Sequence, residues 1–250
     1  YAEKAILIDN NEPLWVHYIA RVSRTYLEKL FDGVYLTSIP KNASTSLKSM
    51  VLKELHKKEG VNPHSVFGNP FFNINNLDKT DLSSDLKLLS LREPISRFVS
   101  YHNKNILEES SLQEELNYTK KEFEFGLNLK PNLEEFVNKI NFYCYMFNDV
   151  LHHILPQTAY FSQLTYYDCV ADLKSSYKLG EAVSMKLKLK NKISPPNKMV
   201  STKKVKSIDL PDHVQFTLAK LFKDDVHMFK SFESTKEFTK VFSFDFKSEV

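Results

Sequence analysis

The residues that most clearly suggest chemistry form a short segment of one cation and several small polar residues, Lys41-Asn-Ala-Ser-Thr-Ser46. An apolar run rich in β-forming residues precedes it at 34–39, and an apolar pattern of helical period follows it at Leu47, Met50, Val51 and Leu55. A loop between a strand and a helix is a common anion site, since the first helical N–H groups lack internal partners and the helix dipole favours negative charge. We therefore predict that residues 41–46 bind a phosphate-like group through the Lys41 ammonium, backbone N–H groups and the serine and threonine hydroxyls.

The predicted loop is not a Walker loop, because it contains no glycine and the pattern G-x-x-x-x-G-K-[ST] is absent. An ordinary helix capped by one of the serines would give the same local pattern, since serine is a preferred N-cap residue. These residues alone leave that alternative open.

A second polar cluster follows the next apolar run. Residues 85–91 predict a buried strand, and Arg92-Glu-Pro-Ile-Ser-Arg-Phe-Val-Ser-Tyr101 leads into a helix. Open α/β sheets bind ligands at the carboxyl ends of their strands, which is where Arg92 falls. Ser100 lies two helical turns after Arg92 and could meet the same anion. Arg97, between them, is either a further ligand contact or part of a structural ion pair.

Together these segments resemble the two nucleotide-binding motifs of sulfotransferases, P-K-x-x-S-T-S after one strand and R-E-P-x-x-R-x-x-S after the next. Later segments narrow the resemblance to the carbohydrate sulfotransferases of the chondroitin 4-O and HNK-1 type. His153-Ile-Leu-Pro-Gln157 is similar to their H-x-x-P-Q element, and residues 166–170 lie where they carry a short strand. Residues 195–201 resemble their H-V-N-x-S stretch, with Pro196 in place of the histidine, and residues 221–229 resemble their Y-x-x-D-x-x-x-F ending.

The resemblance runs in the correct order from about Val34 to Phe229. It implies an α/β fold in which helices flank a P-loop-like parallel sheet. It also implies the sulfuryl donor 3′-phosphoadenosine 5′-phosphosulfate (PAPS) and no metal, with Arg92 and Ser100 on the 3′-phosphate. The residues that it assigns to PAPS are Lys41, Asn42, Ala43, Ser44, Thr45, Ser46, Arg92 and Ser100.

Sulfuryl transfer to a hydroxyl group needs positive charge at the leaving phosphate and a general base at the acceptor. We expect Lys41 to supply the charge and His153, which holds the family's histidine position, to act as the base. His152 is the alternative if the match is displaced by one residue. Gln157 either positions the acceptor or is a structural amide. The remaining candidates for a base are His56, His64, His102 and Glu93.

Length and composition agree with one soluble domain. The chain has 250 residues, of which 42% are hydrophobic and 26% are charged, values typical of globular proteins. We expect a single sulfotransferase-like domain over 1–250, with an N-terminal helical segment at 1–32 and the PAPS-binding and catalytic core at 33–250. The helical segment is predicted from an apolar stripe at Trp15, Ile19, Val22, Tyr26 and Leu30.

Cysteine usage and a glycosylation sequon suggest the compartment. Cys144 and Cys169 are too few for a disulfide framework, and we expect two buried thiols, with a single bridge between them as the alternative. Asn42-Ala-Ser44 is a sequon inside the predicted anion loop, where a glycan would block the site. We interpret the chain as a soluble, cytoplasmic, bacterial relative of the Golgi enzymes. A Golgi-lumen enzyme whose N-terminal anchor was removed is the alternative.

The net charge of +3 hides a basic stretch at 182–208 that contains eight lysines and no acidic residue. The stretch is either a solvated surface or a field that steers PAPS and an acidic acceptor towards the protein. No nucleic-acid-binding motif accompanies it. The expected partner is therefore a glycan or small-molecule acceptor, with neither nucleic acid nor membrane involved.

Two other classes of protein stay open. A P-loop kinase or NTPase would bind phosphates in a similar place, although it would need the Walker loop that is missing here. A catalytically inactive module of the same fold could bind a polyanion without turning over a substrate.

Overall fold

The computed structural model describes residues 27–57, 60–67, 83–119, 126–161, 163–193 and 209–234. The chain divides into two compact units, each built from discontinuous stretches. The sheet unit takes its described residues from 27–91, 161–193 and 227–234, and the Arg92 unit takes its described residues from 92–160 and 209–226.

The sheet unit contains a four-stranded sheet in the order β1-β2-β3-β4. The strands are β1 Glu28–Phe31, β2 Val34–Thr37, β3 Leu86–Leu91 and β4 Cys169–Asp172. β1 pairs antiparallel with β2, whereas β2, β3 and β4 are parallel, with Leu36 opposite Leu88. All six side chains of β3 are buried, which explains why its sequence is a nearly continuous apolar run.

The helices follow the same chain order. They are α1 Ser44–Glu54, α2 Pro63–Phe67, α3 Pro94–Tyr101, α4 Ser111–Thr119, α5 Leu133–Asn138, α6 Ile140–Met146, α7 Asn148–Ile154, α8 Tyr177–Lys186, α9 Asp212–Leu221 and α10 Lys223–Ser234. A π-helix, His102–Glu108, continues α3, and short 3₁₀ turns occupy Gln157–Ala159 and Leu164–Tyr166.

One face of the sheet packs against α1 and α8. Side chains alternate between the two faces along a strand, so residues two apart on β2 and on β3 point to the same helices. This packing holds α1 in place, and with it the loop that precedes α1. The core consists mainly of Val34, Leu36, Leu47, Met50, Val51, Leu86, Leu88, Leu179 and Val183.

The Arg92 unit has an aromatic core around Phe136, whose ring centroid lies 5.6 Å from that of Phe98 and 4.9 Å from that of Tyr143. Phe136 belongs to an apolar pattern that continues to Ile140. The backbone leaves helical geometry at Lys139, which separates α5 from α6 without exposing Ile140.

The predicted fold class is confirmed, because a mostly parallel sheet is flanked by helices. The expected helical segment at 1–32 does not extend through residues 28–31, which form β1. Pairing with β2 places Leu30 in the sheet core, and this tertiary contact decides the local conformation. Residues 1–26 lie outside the described residues, as do residues 194–208 with Pro196 and four of the lysines of the basic stretch.

Within the described part of the chain, no helix is both long and apolar enough to span a membrane. Both cysteines are free thiols, as predicted, but only Cys144 is buried, whereas Cys169 is partly exposed. Burial raises the pKa of the Cys169 thiol to about 11, so this group stays protonated at neutral pH.

Candidate functional site

The predicted anion loop connects β2 to α1 through a strained backbone. Lys41 and Ala43 have φ angles of 67° and 61°, in the left-handed region, although neither is glycine. Left-handed residues in a tight turn direct successive N–H groups into a concave arrangement that suits an anion. Strain of this kind persists only where surrounding contacts hold the backbone, and it clusters at functional sites.

The first turn of α1 has no serine cap. Its N-cap residue is Ala43, which makes no side-chain hydrogen bond to the helix, and its first turn contains no acidic residue. The alternative of an ordinary serine N-cap is therefore wrong. No carboxylate of the first turn offsets the positive end of the α1 dipole, which a bound anion would do.

Asn42 fastens the loop to the end of β3. Its side chain is completely buried, and Nδ2 donates to the carbonyl oxygen of Ser90 at 2.8 Å. Its backbone N–H donates to the carbonyl oxygen of Ile39 at 3.2 Å, which closes the turn before the loop. Asn42 thus shapes the loop, a role that its place in the predicted binding set did not specify.

A buried ion pair holds the loop from both sides. Lys48, on α1, places Nζ 2.7 Å from Oε2 of Glu28 on β1. The hydroxyl of Ser38, which precedes the loop, donates to the same Glu28 oxygen at 2.7 Å. The side chains of Lys48 and Glu28 are 1% and 3% exposed, so each charge depends on the other. We call these three residues the Glu28 clamp.

His64 lies beside the loop. Its Nε2 atom is 2.9 Å from Oγ1 of Thr45, and both groups are accessible to solvent. Among the predicted alternatives for a base, His64 is therefore in contact with a residue of the anion loop.

The backbone of Arg92 is held by the side chain of Gln157. Oε1 of Gln157 accepts from the Arg92 N–H at 3.0 Å, and Nε2 donates to the Arg92 carbonyl oxygen at 2.8 Å. Gln157 is completely buried. Of its two predicted roles, positioning the acceptor or serving as a structural amide, these contacts support the second. Burial, with the nearby charge of Arg97, lowers the pKa of Arg92 to about 10, although Glu93 opposes the shift. Arg92 remains cationic at neutral pH.

Gln157 is itself fixed by the carboxylate of Asp225. The Asp225 oxygens accept from the backbone N–H groups of Gln157 and Thr158 at 2.7 and 2.9 Å, and from the Thr158 hydroxyl at 2.9 Å. Asp225 is fully buried on α10, and burial raises the pKa of its carboxyl group against the opposing charge of Arg97 and these hydrogen bonds. The three residues Asp225, Gln157 and Arg92 form a continuous chain of contacts.

The side chain of Arg97 is buried and contacts backbone carbonyl groups. Its guanidinium group donates to the carbonyl oxygens of Leu155 at 2.8 Å and His153 at 2.9 Å, and the residue is 2% exposed. Burial lowers the pKa of Arg97, and the carboxylate of Asp225 opposes that effect. These contacts support a structural role for Arg97, with backbone carbonyl groups as its partners in place of the predicted ion pair.

His153 lies in a network with two residues that the sequence did not single out. Its Nδ1 atom is 3.0 Å from Oδ1 of Asp149 and 2.9 Å from the Asp149 carbonyl oxygen, one helical turn earlier on α7. The hydroxyl of Tyr101 donates to the other Asp149 oxygen at 2.9 Å. The Tyr101 ring stacks on the imidazole, with centroids 5.0 Å apart and planes 15° apart. The side chain of His153 is 20% exposed, so the ring remains accessible.

Three other candidate bases have structural contacts. His56 contacts the carbonyl oxygen of Leu30 through Nε2, and the buried His102 contacts that of Pro131 in the same way. Glu93 is the N-cap of α3 and accepts from two backbone N–H groups of its first turn.

The predicted site residues are divided between the two units. Lys41 and the rest of the loop belong to the sheet unit, whereas Arg92, the half-buried Ser100 and His153 belong to the Arg92 unit.

Four charged residues that hold these groups were not identified from the sequence, although two of them have a recognisable sequence pattern. Lys48 interrupts the apolar face of α1, and Asp149 precedes His153 by four residues. The four residues are Glu28, Lys48, Asp149 and Asp225.

Among the described residues, no group of three or more His, Cys, Asp or Glu side chains is placed to hold a metal ion.

The family model described as "Sulfotransferase family" matches residues 29–233 of the chain. Carbohydrate sulfotransferases such as the chondroitin 4-O and HNK-1 enzymes belong to that family. No curated protein and no solved structure gives a significant match.

The Glu28 clamp predicts an asymmetric response to mutation. Lys48→Met should destabilise the protein by about 3–5 kcal/mol, because it leaves the Glu28 carboxylate buried without a cation. Adding Glu28→Gln should recover part of that loss. The free energies of unfolding can be measured in urea, with Lys53→Met on the exposed side of α1 as the control. A Lys48→Met variant as stable as that control would contradict the clamp.

Proposed function

The chain belongs to the sulfotransferase family, and from that premise we propose that it transfers the sulfuryl group of PAPS to a hydroxyl group of a carbohydrate or small molecule. In this reaction the acceptor oxygen forms a bond to sulfur as the bond from sulfur to the 5′-phosphate oxygen breaks. The products are a sulfate ester and adenosine 3′,5′-bisphosphate, and the acceptor proton goes to a base on the protein. An amine acceptor would give a sulfamate by the same steps.

The anion loop is the observation that carries the proposal. It combines a left-handed backbone at Lys41 and Ala43 with the uncapped N-terminus of an eleven-residue helix. We assign the 5′-phosphosulfate of PAPS to this loop, where N–H groups and hydroxyls of Ser44, Thr45 and Ser46 can donate to its oxygens. Lys41 would stabilise the negative charge that develops on the departing phosphate, as cations do in phosphoryl transfer.

We assign the 3′-phosphate to Arg92 and Ser100. The backbone of Arg92 is fixed by Gln157, so a contact from its guanidinium group would cost little ordering of the protein. The lowered pKa of Arg92 reflects the burial of a cation, and a phosphate would offset the cost of that burial. Because AMP lacks the 3′-phosphate, this contact would select PAPS over related nucleotides.

His153 is the proposed base. Contacts of its Nδ1 atom leave Nε2 as the nitrogen that can take a proton, and the ring is partly exposed. His64 is the second candidate, since it touches Thr45 of the anion loop. The lysines of the basic stretch would draw PAPS and an acidic glycan towards the protein by their charge.

The first test concerns the nucleotide. Adenosine 3′,5′-bisphosphate should bind without metal, and Arg92→Ala should weaken it roughly 10- to 100-fold because a charged hydrogen bond is lost. The same variant should bind AMP almost as well as the wild type does. Isothermal titration calorimetry with EDTA measures both, and Lys139→Ala, at a half-exposed cation of the Arg92 unit, is the control.

Equal losses for both nucleotides would mean that Arg92 does not contact the 3′-phosphate. Binding of Mg-ATP in preference to the bisphosphate would favour a kinase or NTPase instead. Tight bisphosphate binding with no turnover of PAPS, tested over a panel of glycan and small-molecule acceptors, would favour an inactive anion-binding module.

The second test concerns the catalytic groups. His153→Ala should lose about 10²–10⁴ in kcat, the usual cost of removing a positioned base, and should keep its affinity for the bisphosphate. Lys41→Ala should lose both turnover and nucleotide affinity. The rate is measured as bisphosphate released from PAPS, with unsulfated chondroitin as acceptor. His152→Ala and His64→Ala are the matched controls, and a loss confined to either one would move the base to that residue.

We also propose that the protein works in the cytoplasm. Asn42 is fully buried and donates to Ser90, so a glycan attached there during synthesis would prevent the loop from forming. The sequence contains a second sequon, Asn117-Tyr-Thr119, whose asparagine is exposed on α4 and would accept a glycan in a secretory compartment. Protein isolated from its natural source should show both asparagines unmodified by peptide mass spectrometry. A glycan at Asn117, as expected of a Golgi enzyme, would overturn this proposal.

A further inference from the structure

The imidazole of His153 has one nitrogen whose protonation is fixed by its neighbours. Nδ1 lies within hydrogen-bond distance of Oδ1 and of the carbonyl oxygen of Asp149. A carbonyl oxygen and a carboxylate oxygen only accept hydrogen bonds, so Nδ1 must carry the proton. In the neutral ring Nε2 then has a free lone pair, which is the state that a base requires.

Asp149 is itself held in one orientation. Its second carboxylate oxygen accepts from the Tyr101 hydroxyl at 2.9 Å, and its backbone N–H donates to Glu115 at 3.0 Å. Burial acts to raise the pKa of Asp149, but the hydrogen bonds and charge of His153 and the Tyr101 hydroxyl outweigh it and lower the pKa to about 2. Burial and the Asp149 charge also raise the pKa of Tyr101, so its hydroxyl remains a donor.

Tyr101 acts on the ring as well as on the carboxylate. It is completely buried on α3 and stacks on the imidazole of His153. The carboxylate fixes the edge of the imidazole that carries Nδ1, and the stacked phenol fixes its plane. Together they leave the ring little freedom to rotate away from one direction.

We propose that Asp149 is a positioning residue for catalysis, which fixes the Nδ1–H tautomer of His153 and stabilises the imidazolium formed when Nε2 takes the acceptor proton. Tyr101 is the second positioning residue, acting through Asp149 and through the stacked ring. The proposal rests on the proposed function, since it presupposes that His153 is the base. The proton moves from the acceptor oxygen to Nε2 while the Nδ1 proton stays on His153.

The tautomer gives a test that needs no acceptor. In protein labelled with ¹⁵N at histidine, His153 should show a protonated Nδ1 and an unprotonated Nε2 above neutral pH, with its signals assigned by their loss in His153→Ala. In Asp149→Asn part of the population should shift to the Nε2–H tautomer, because the amide can donate to an unprotonated Nδ1, while the remaining contact of the Asp149 carbonyl oxygen still favours a protonated one. An unchanged tautomer in Asp149→Asn would overturn the proposal.

Kinetics give the second readout. With PAPS and unsulfated chondroitin, and with water as a slow acceptor, Asp149→Asn should lower kcat by roughly 10²–10⁴, by analogy with the aspartate of a serine protease triad. The KM for PAPS should stay within about threefold, because the residue acts on the base and not on the nucleotide. Asp224→Asn, on an exposed carboxylate in the first turn of α10, is the matched control and should leave kcat unchanged.

A second variant protects the test against a folding defect. Tyr101→Phe keeps the stacked ring and removes only the hydroxyl, so it should fold and still lower kcat several-fold. If His153→Ala loses its rate while Asp149→Asn and Tyr101→Phe keep theirs, the positioning role is wrong and the proposed base stands. If His153→Ala keeps its rate, the proposed base itself is wrong and the positioning role falls with it.

Discussion

The buried carboxylate of Asp225 holds the residue that positions Arg92 within its unit. It accepts three hydrogen bonds from Gln157 and Thr158 and has no exposure to solvent. Removing such an acceptor would leave buried N–H groups without a partner, which costs more than a hydrogen bond gains. Gln157, fixed in this way, uses both ends of its amide to hold the backbone of Arg92. A single carboxylate on α10 therefore determines where the first residue after β3 lies within its unit.

These contacts show what the segment 153–157 holds in place. Its first residue, His153, offers a carbonyl oxygen to Arg97 and an imidazole to Asp149, and its last residue holds Arg92. The segment thus connects the candidate base to the candidate phosphate-binding arginine by a chain of fixed contacts inside one unit. The spacing of H-x-x-P-Q places its first and last residues against different partners.

Local sequence patterns predicted the parts of the fold that local interactions determine. The order of β2, loop and α1, and of β3, Arg92 and α3, could be derived because apolar periodicity and strand ends are local signals. β1 could not, since four residues carry little periodicity and their strand conformation comes from pairing with β2.

The charged residues that hold the site were predictable only in part. Glu28 and Lys48 are far apart in the chain and meet through the fold, as do Asp225 and Gln157. Asp149 is different, because its distance of four residues from His153 on one helix is a pattern that the sequence does display. The Ala43 N-cap also shows that the identity of a loop residue does not fix where the helix begins.

The anion loop contains no glycine, although two of its residues have a left-handed backbone. Residues other than glycine in the left-handed region cost about 1 kcal/mol or more each, so Lys41 and Ala43 would relax if the loop were free. The Asn42 bond to Ser90 and the Glu28 clamp oppose that relaxation from the middle and from both sides of the loop. A loop without glycine also has fewer conformations to lose when a ligand binds, since its side chains restrict the backbone. Rigid donors in a fixed concave arrangement reduce the entropy cost of binding an anion. The buried polar contacts therefore maintain a strained backbone in advance of the anion binding that we propose for this loop.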